Sequence, residues 1–353
     1  MREWEKNFRK IEPYVPGEQP KLKDMIKLNT NENPYPPAPG VVEAMEHFDV
    51  DKLRLYPDDK SDNLVQALAE YYHVKKEQVF VGVGSDDVLG MAFLSFFNSE
   101  KPILFPDITY SFYEVWANLY KIPFETQPLD EAFRIHKEDY YKPNGGVVIA
   151  NPNAPTGIAE DLDFIEDIVK HNQDSVVIVD EAYVDFGTRS ALSLVDKYEN
   201  LLVVQTFSKS RSMAGLRIGF CIGNEKLIKV ITDVKYSYNS YTMNQTSLYL
   251  GVEAVKNEEY FRTNLAKIME ERTRTIDELT KLGFTCTDSK TNFVFATHKD
   301  VPAKELLAML REKHIFVRNF GSNPRIANYL RITIGTREQM DTLFAAIREY
   351  LQQ

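Results

Sequence analysis

The sequence holds only two cysteines in 353 residues, Cys221 and Cys286, too few for a disulfide framework or a thiolate metal cluster. Its six histidines are scattered and show no metal-ligand spacing. Apolar runs long enough to span a bilayer are missing. The opening MREWEKNFRK is charged where a secretory leader would be apolar. Basic residues are outnumbered, with 42 Lys and Arg against 52 Asp and Glu and a formal charge of −10. That balance argues against nucleic acid or an anionic membrane as the main partner. Small anionic substrates stay open, because a site needs only a few local cations. With no internal repeat and no low-complexity tract, the expectation is a cytoplasmic-type globular protein whose length calls for two packed regions.

What the sequence does contain is ordered. Residues 1–35 have few periodic apolar positions and end in Leu28-Asn29-Thr30-Asn31-Glu32-Asn33-Pro34, which reads as an arm. From about residue 61, short apolar runs alternate with helical stretches: Val79–Val83, Ile103–Phe105, Val147–Ala150, Val176–Val179, Leu201–Thr206 and Ile218–Ile222. Branched, continuously apolar runs of this length indicate buried strands of a mostly parallel α/β sheet with helices on both faces. Residues 36–255 are therefore expected to form a large unit. Beyond them a charged amphipathic stretch from Glu258 to Leu282, strands near 292–296 and 330–334, and two helices suggest a smaller α+β unit over 256–353.

In such sheets ligands sit beyond the carboxyl ends of the strands, and four segments fall there. Gly82-Val83-Gly84-Ser85-Asp86-Asp87 opens a helix, where backbone N–H groups can meet a phosphate. Asn151-Pro152-Asn153-Ala154-Pro155-Thr156-Gly157 is a stiff polar loop. Asp180-Glu181-Ala182-Tyr183 puts a carboxylate at the end of an apolar strand, where it needs a cationic partner. Thr206-Phe207-Ser208-Lys209-Ser210 puts a lysine at a buried strand end, with Arg217 eight positions on, suiting covalent use of the amine and phosphate binding by hydroxyls and guanidinium. Taken singly, each also reads as ordinary structure: a turn, a capped connection, a helix-capping Asp, a surface Lys.

Together, in this order and spacing, they resemble the fold-type I pyridoxal 5′-phosphate (PLP) enzymes of the aspartate aminotransferase superfamily over essentially the whole chain. The resemblance implies PLP as a Schiff base on Lys209, Asp180 paired with the pyridine nitrogen, and Tyr183 donating to the ring hydroxyl. It implies Tyr110 stacked on the ring, and Gly84, Ser85, Asp86, Thr206, Ser208 and Arg217 around the phosphate. Tyr56 would reach the cofactor phosphate of a neighbouring subunit, so a homodimer with shared sites is implied. One position departs from the family. The Asn usually found directly before Pro-Thr-Gly is Ala154 here, so either Asn153 takes its place through a shifted loop or Tyr183 holds the ring oxygen with less help.

For the substrate, Arg331 in Leu330-Arg331-Ile332-Thr333 matches the superfamily's anion-gripping arginine, though it also reads as a surface Arg on a strand. Arg318 adds a second cation, and two guanidinium groups suit a phosphate dianion. Pro13-Tyr14-Val15-Pro16-Gly17 and the 28–34 motif most resemble the histidinol-phosphate aminotransferase branch. That branch implies transamination of histidinol phosphate with 2-oxoglutarate, with Tyr14 and Asn33 as substrate contacts and Tyr14 reaching across the dimer. An aromatic amino-acid aminotransferase and a threonine-phosphate decarboxylase share the scaffold. A non-catalytic PLP-fold binding protein would be expected to lack some of Lys209, Asp180, Tyr183 and Arg217.

Overall fold

The computed structural model describes residues 2–352. Its strands are β1 (Ile26–Lys27), β2 (Val79–Val83), β3 (Ile103–Pro106), β4 (Phe124–Gln127), β5 (Gly146–Ala150), β6 (Val177–Asp180), β7 (Leu201–Thr206), β8 (Ile218–Gly223), β9 (Phe284–Cys286), β10 (Phe293–His298), β11 (Ile315–Phe316), β12 (Arg318–Asn319) and β13 (Leu330–Thr333). The helices are α1 (Pro39–Glu46), α2 (Asp62–Tyr72), α3 (Gly84–Phe96), α4 (Phe112–Tyr120), α5 (Leu162–His171), α6 (Glu225–Tyr238), α7 (Gln245–Lys256), α8 (Glu258–Lys281), α9 (Ala303–Glu312) and α10 (Arg337–Leu351).

Seven strands form one sheet in the order β2-β8-β7-β6-β5-β3-β4. All neighbours are parallel except β8, which runs against both β7 and β2. Burial on both faces explains the continuous apolar runs. Along β5, Val147 and Ile149 face one cluster with α1, α2, α5 and α7, while Val148 and Ala150 face another with α3, α4 and α6. Because β8 enters the sheet where β2 and β7 leave it, Val83 pairs with Ile218 and Thr206 with Gly219. The segments before β8 and after β2, β5, β6 and β7 therefore meet at one edge.

A four-stranded antiparallel sheet, β12-β13-β10-β9, lies in the C-terminal part with α8, α9 and α10. Its core also includes Leu28, Ala154, Tyr183 and Phe186, so it reaches back to the loops at that edge. The arm is more structured than its composition suggested. β1 pairs in parallel with β11, and Thr333 N–H donates to the Leu28 carbonyl at 3.0 Å. No helix of the described residues is long and apolar enough to cross a membrane.

Candidate active site

The shared edge collects most of the expected residues. Asp180 ends β6 and is only 5% exposed. Its two oxygens accept from Tyr113 Oη at 2.7 Å and from the Ala182 N–H at 3.1 Å. Burial still dominates and pushes the carboxyl up to about 6, with the charge of Asp86 adding and Lys209 opposing. A buried carboxylate so placed calls for a cation, and a protonated pyridine nitrogen meets that need.

Lys209 follows β7, half-buried, with Nζ donating to the Thr30 carbonyl at 3.2 Å and lying 5.9 Å from the centre of the Tyr183 ring. Among the described residues no carboxylate forms an ion pair with it. Its amine is thus held by one weak contact, as a group available for covalent attachment should be. Asn33, expected against substrate, donates to the carbonyls of Lys209 and Ser210 at 3.0 and 3.1 Å, which anchors the backbone under the lysine.

A cradle lies beside them at the start of α3. Gly84 has φ +81° and Gly219 faces it across the sheet edge. A Cβ on Gly219 would sit 2.2 Å from the Gly84 carbonyl carbon and 2.3 Å from Ser85 N, so only glycine permits this approach. The first N–H groups of α3 have no intrahelical acceptor and suit an anion. Arg217 closes the cradle, donating to Ser208 Oγ at 3.4 Å and pairing with Asp86 at 3.1 Å. Thr206 Oγ1 donates to Ser208 Oγ at 3.0 Å, and Tyr110 Oη donates to Asp86 at 2.8 Å. Hydroxyls, guanidinium and helix N-terminus together fit a phosphate group, so the donor set as a whole fits PLP.

Arg331 and Arg318 are directly opposed on β13 and β12. Arg331 Nη2 donates to the Asn29 carbonyl at 3.0 Å, its Nε is buried without a partner, and burial pulls its pKa down. Arg318 donates to the Val15 and Pro16 carbonyls at 3.3 Å, tying the arm down. Among the described residues neither arginine has a carboxylate partner, leaving two cations for an incoming anion. Tyr14 lies between these features within its own chain, stacked on Phe112 at 4.2 Å and 6.2 Å from Tyr110. The charges of both arginines act on its hydroxyl.

These distances describe an anion-binding cleft around an amine and a buried carboxylate, and comparison with known proteins gives it a family. The profile of Aminotransferase class I and II matches residues 23–347. The chain belongs to the class I and II aminotransferases. A histidinol-phosphate aminotransferase of Lactococcus lactis subsp. cremoris strain MG1363 is 50% identical over 349 residues, covering 99% of this chain and 98% of the relative. One from Clostridium botulinum strain Hall is 49% identical over 350 residues, covering 99% of each. The crystal structure of the Sinorhizobium meliloti histidinol-phosphate aminotransferase in complex with PLP superposes with a TM-score of 0.84 at 25% identity. That match covers 93% of this chain and 91% of that one.

Two expected residues of this aminotransferase have side chains engaged with other partners. Tyr56 is 80% exposed and stacks on Tyr241 at 4.7 Å. The Asn153 side chain joins two loops, donating to the Ile108 carbonyl and accepting from Thr109 Oγ1 in the loop after β3, and donating to Thr156 Oγ1 in its own. Ala154 joins Tyr183 in one apolar cluster. Sequence reasoning missed Tyr113, which binds Asp180, and Asn31, whose amide donates to Tyr183 Oη at 2.8 Å. Tyr113 sits three residues past Tyr110, a spacing that could have flagged it. Asn31 lies in a motif already noted, but nothing local links it to residue 183.

Proposed function

We propose that this aminotransferase moves the amino group of L-histidinol phosphate to 2-oxoglutarate, giving imidazole acetol phosphate and glutamate, with PLP carried on Lys209. The identity of 49–50% to histidinol-phosphate aminotransferases over nearly the whole chain carries this reading. The paired Arg318 and Arg331, which among the described residues donate to backbone carbonyls and to no carboxylate, support a substrate bearing a dianion.

When bound, the cofactor supplies an electron sink for the charge left as the substrate loses its α-proton. The residues of the chain do the rest. Asp180 would pair with the protonated ring nitrogen, and that cation would draw its pKa back toward the ordinary carboxylate range. Tyr110 would cover one ring face, and Tyr183 would donate to the ring oxygen. The first N–H groups of α3 at Gly84, Ser85 and Asp86 would hold the cofactor phosphate together with Thr206, Ser208 and Arg217. Once displaced by substrate, Lys209 Nζ would be free to take the α-proton and hold it for return. Arg331 and Arg318 grip the substrate phosphate, and the same arginines receive the oxo acid in the second half-reaction. One site serving both halves predicts ping-pong kinetics.

The proposal extends to organisation. Residues 1–35 act as the arm, 36–255 as the PLP-binding unit and 256–353 as the smaller unit, in a cytoplasmic homodimer. The exposed Tyr56, with Leu53, Leu55 and Tyr238 also exposed, supports a partner subunit covering that face. A substrate panel tests the function. Histidinol phosphate with 2-oxoglutarate should exceed phenylalanine in kcat/KM by at least about tenfold, the worth of one buried charge-assisted contact. Threonine phosphate should release no carbon dioxide. Equal use of phenylalanine would assign the protein to aromatic amino acids instead.

A further inference from the structure

The Tyr183 hydroxyl is held on one side only. Its oxygen accepts from Asn31 Nδ2 at 2.8 Å, and among the described residues none accepts its proton. The Asn31 amide cannot turn round. Thr333 Oγ1 accepts from the Asn31 backbone N–H at 3.0 Å and donates to Asn31 Oδ1 at 3.0 Å, so the NH2 group must face Tyr183. Asn292 Nδ2 holds the Asn31 carbonyl at 2.9 Å. Asn31 is 1% exposed, with φ +58°, a left-handed conformation that Asn tolerates better than most residues.

A hydroxyl that accepts one hydrogen bond becomes a better donor of its own proton. A buried proton with no acceptor is unfavourable until a group arrives to take it. Lys209 Nζ lies 5.9 Å from the Tyr183 ring centre, so a group carried on that amine is within range. The Ala154 side chain has no donor to add, and the Asn153 amide is already engaged by the Ile108 carbonyl and Thr156 Oγ1.

We propose that Asn31 is a positioning residue: it fixes Tyr183 as a donor and strengthens that donation to the ring oxygen of the cofactor. The inference rests on the role given to Tyr183 above. A donor to an anionic ring oxygen weakens the hold of that oxygen on the neighbouring imine proton, so it lowers the pH at which the proton is lost. Asn31 therefore sets part of the titration midpoint of the bound cofactor.

The test is a spectrophotometric pH titration of the visible band of purified, PLP-loaded protein without substrate. Asn31→Gly keeps the left-handed backbone and removes the donor. Its midpoint should rise, by less than in Tyr183→Phe, and the double variant should match Tyr183→Phe. Asn31→Asp presents an acceptor that captures the Tyr183 proton, so its midpoint should rise as far as that of Tyr183→Phe. If Tyr183→Phe moves the midpoint while Asn31→Gly and Asn31→Asp stay at wild type, the role of Asn31 is overturned. If Tyr183→Phe leaves it unmoved, the reading of Tyr183 itself fails. Should Asn31→Gly not fold, Thr333→Val, which frees the Asn31 amide to turn, must raise the midpoint in its place, and an unchanged value rejects the proposal.

Discussion

At Asp180 burial and hydrogen bonding pull in opposite directions, and burial wins. The carboxyl rises from 3.8 to about 6 although both oxygens receive hydrogen bonds. A folded-state pKa above the unfolded value means that the unfolded chain releases its proton first as pH rises. Without cofactor, stability from this group is full below pH 4 and is lost between about 4 and 6, by about 3 kcal/mol. Glu181 adds to the trend, since burial raises it to about 7 against three hydrogen bonds from Ser190, Ala191 and Gln205. The cofactor-free Asp180→Asn variant should therefore melt higher than wild type at pH 7 and alike at pH 4. With PLP the order should reverse at pH 7, because the variant offers the ring nitrogen no anion. Thermal melts of both forms at the two pH values measure this. A wild type that melts higher at pH 7 without PLP would contradict the assigned strain.

The elements matter through where they end. The β2–β8 pairing brings Gly82 opposite Gly219 and Val83 opposite Ile218, and this sets the start of α3 against Arg217. A Gly219→Ala methyl would collide with backbone rather than with a flexible side chain, so α3 must shift bodily. Overpacking of this kind destabilises by about 1–3 kcal/mol. The α3 N–H groups and the Ser208–Arg217 pair would then no longer converge on one phosphate. PLP affinity of the cofactor-free protein should drop at least about tenfold, the equivalent of 1.4 kcal/mol. Fluorescence titration with PLP reads this out, and unchanged affinity would remove the cradle from the phosphate site. The β12–β13 pair acts the same way at the substrate end, setting Arg318 against Arg331 with the arm strapped over them.

At the scale of the whole molecule, the cleft is assembled by sheet, arm and C-terminal region together. Asn31 of the arm touches both Tyr183 and Thr333, and Lys209 touches Thr30. Tyr56 is directed elsewhere, into an exposed aromatic pair with Tyr241. If it serves the partner subunit, Lys209→Ala and Tyr56→Ala subunits should complement one another. Mixed and reassembled, they should recover about a quarter of wild-type activity, since half the dimers are hybrids with one intact site each. Recovery no greater than the sum of the two parents would mean that the sites are not shared.

Much of this was legible in the sequence because it is local. Runs such as Val147–Ala150 announce buried parallel strands by apolar continuity alone, and the chemistry of Asp180, Lys209 and Arg217 follows from what sits at strand ends. Short pieces without a periodic signal were not legible: β1, β11 and β12 are two residues each, and β1 pairs with β11 from the far end of the chain. The same holds for side chains whose partners lie far off. Asn33 read as a substrate contact, and its amide also anchors the backbone of Lys209 and Ser210, while Asn153 reaches Ile108, 45 positions away in the loop after β3. The sequence by itself determined the sheet class, the residue types gathered at its edge and the family. Tertiary structure alone decided that Asn31 addresses Tyr183, that Tyr113 holds Asp180 and that Tyr14 lies by Tyr110 and Phe112. Those outcomes depend on contacts across up to 152 positions of chain, which no local pattern of residues encodes.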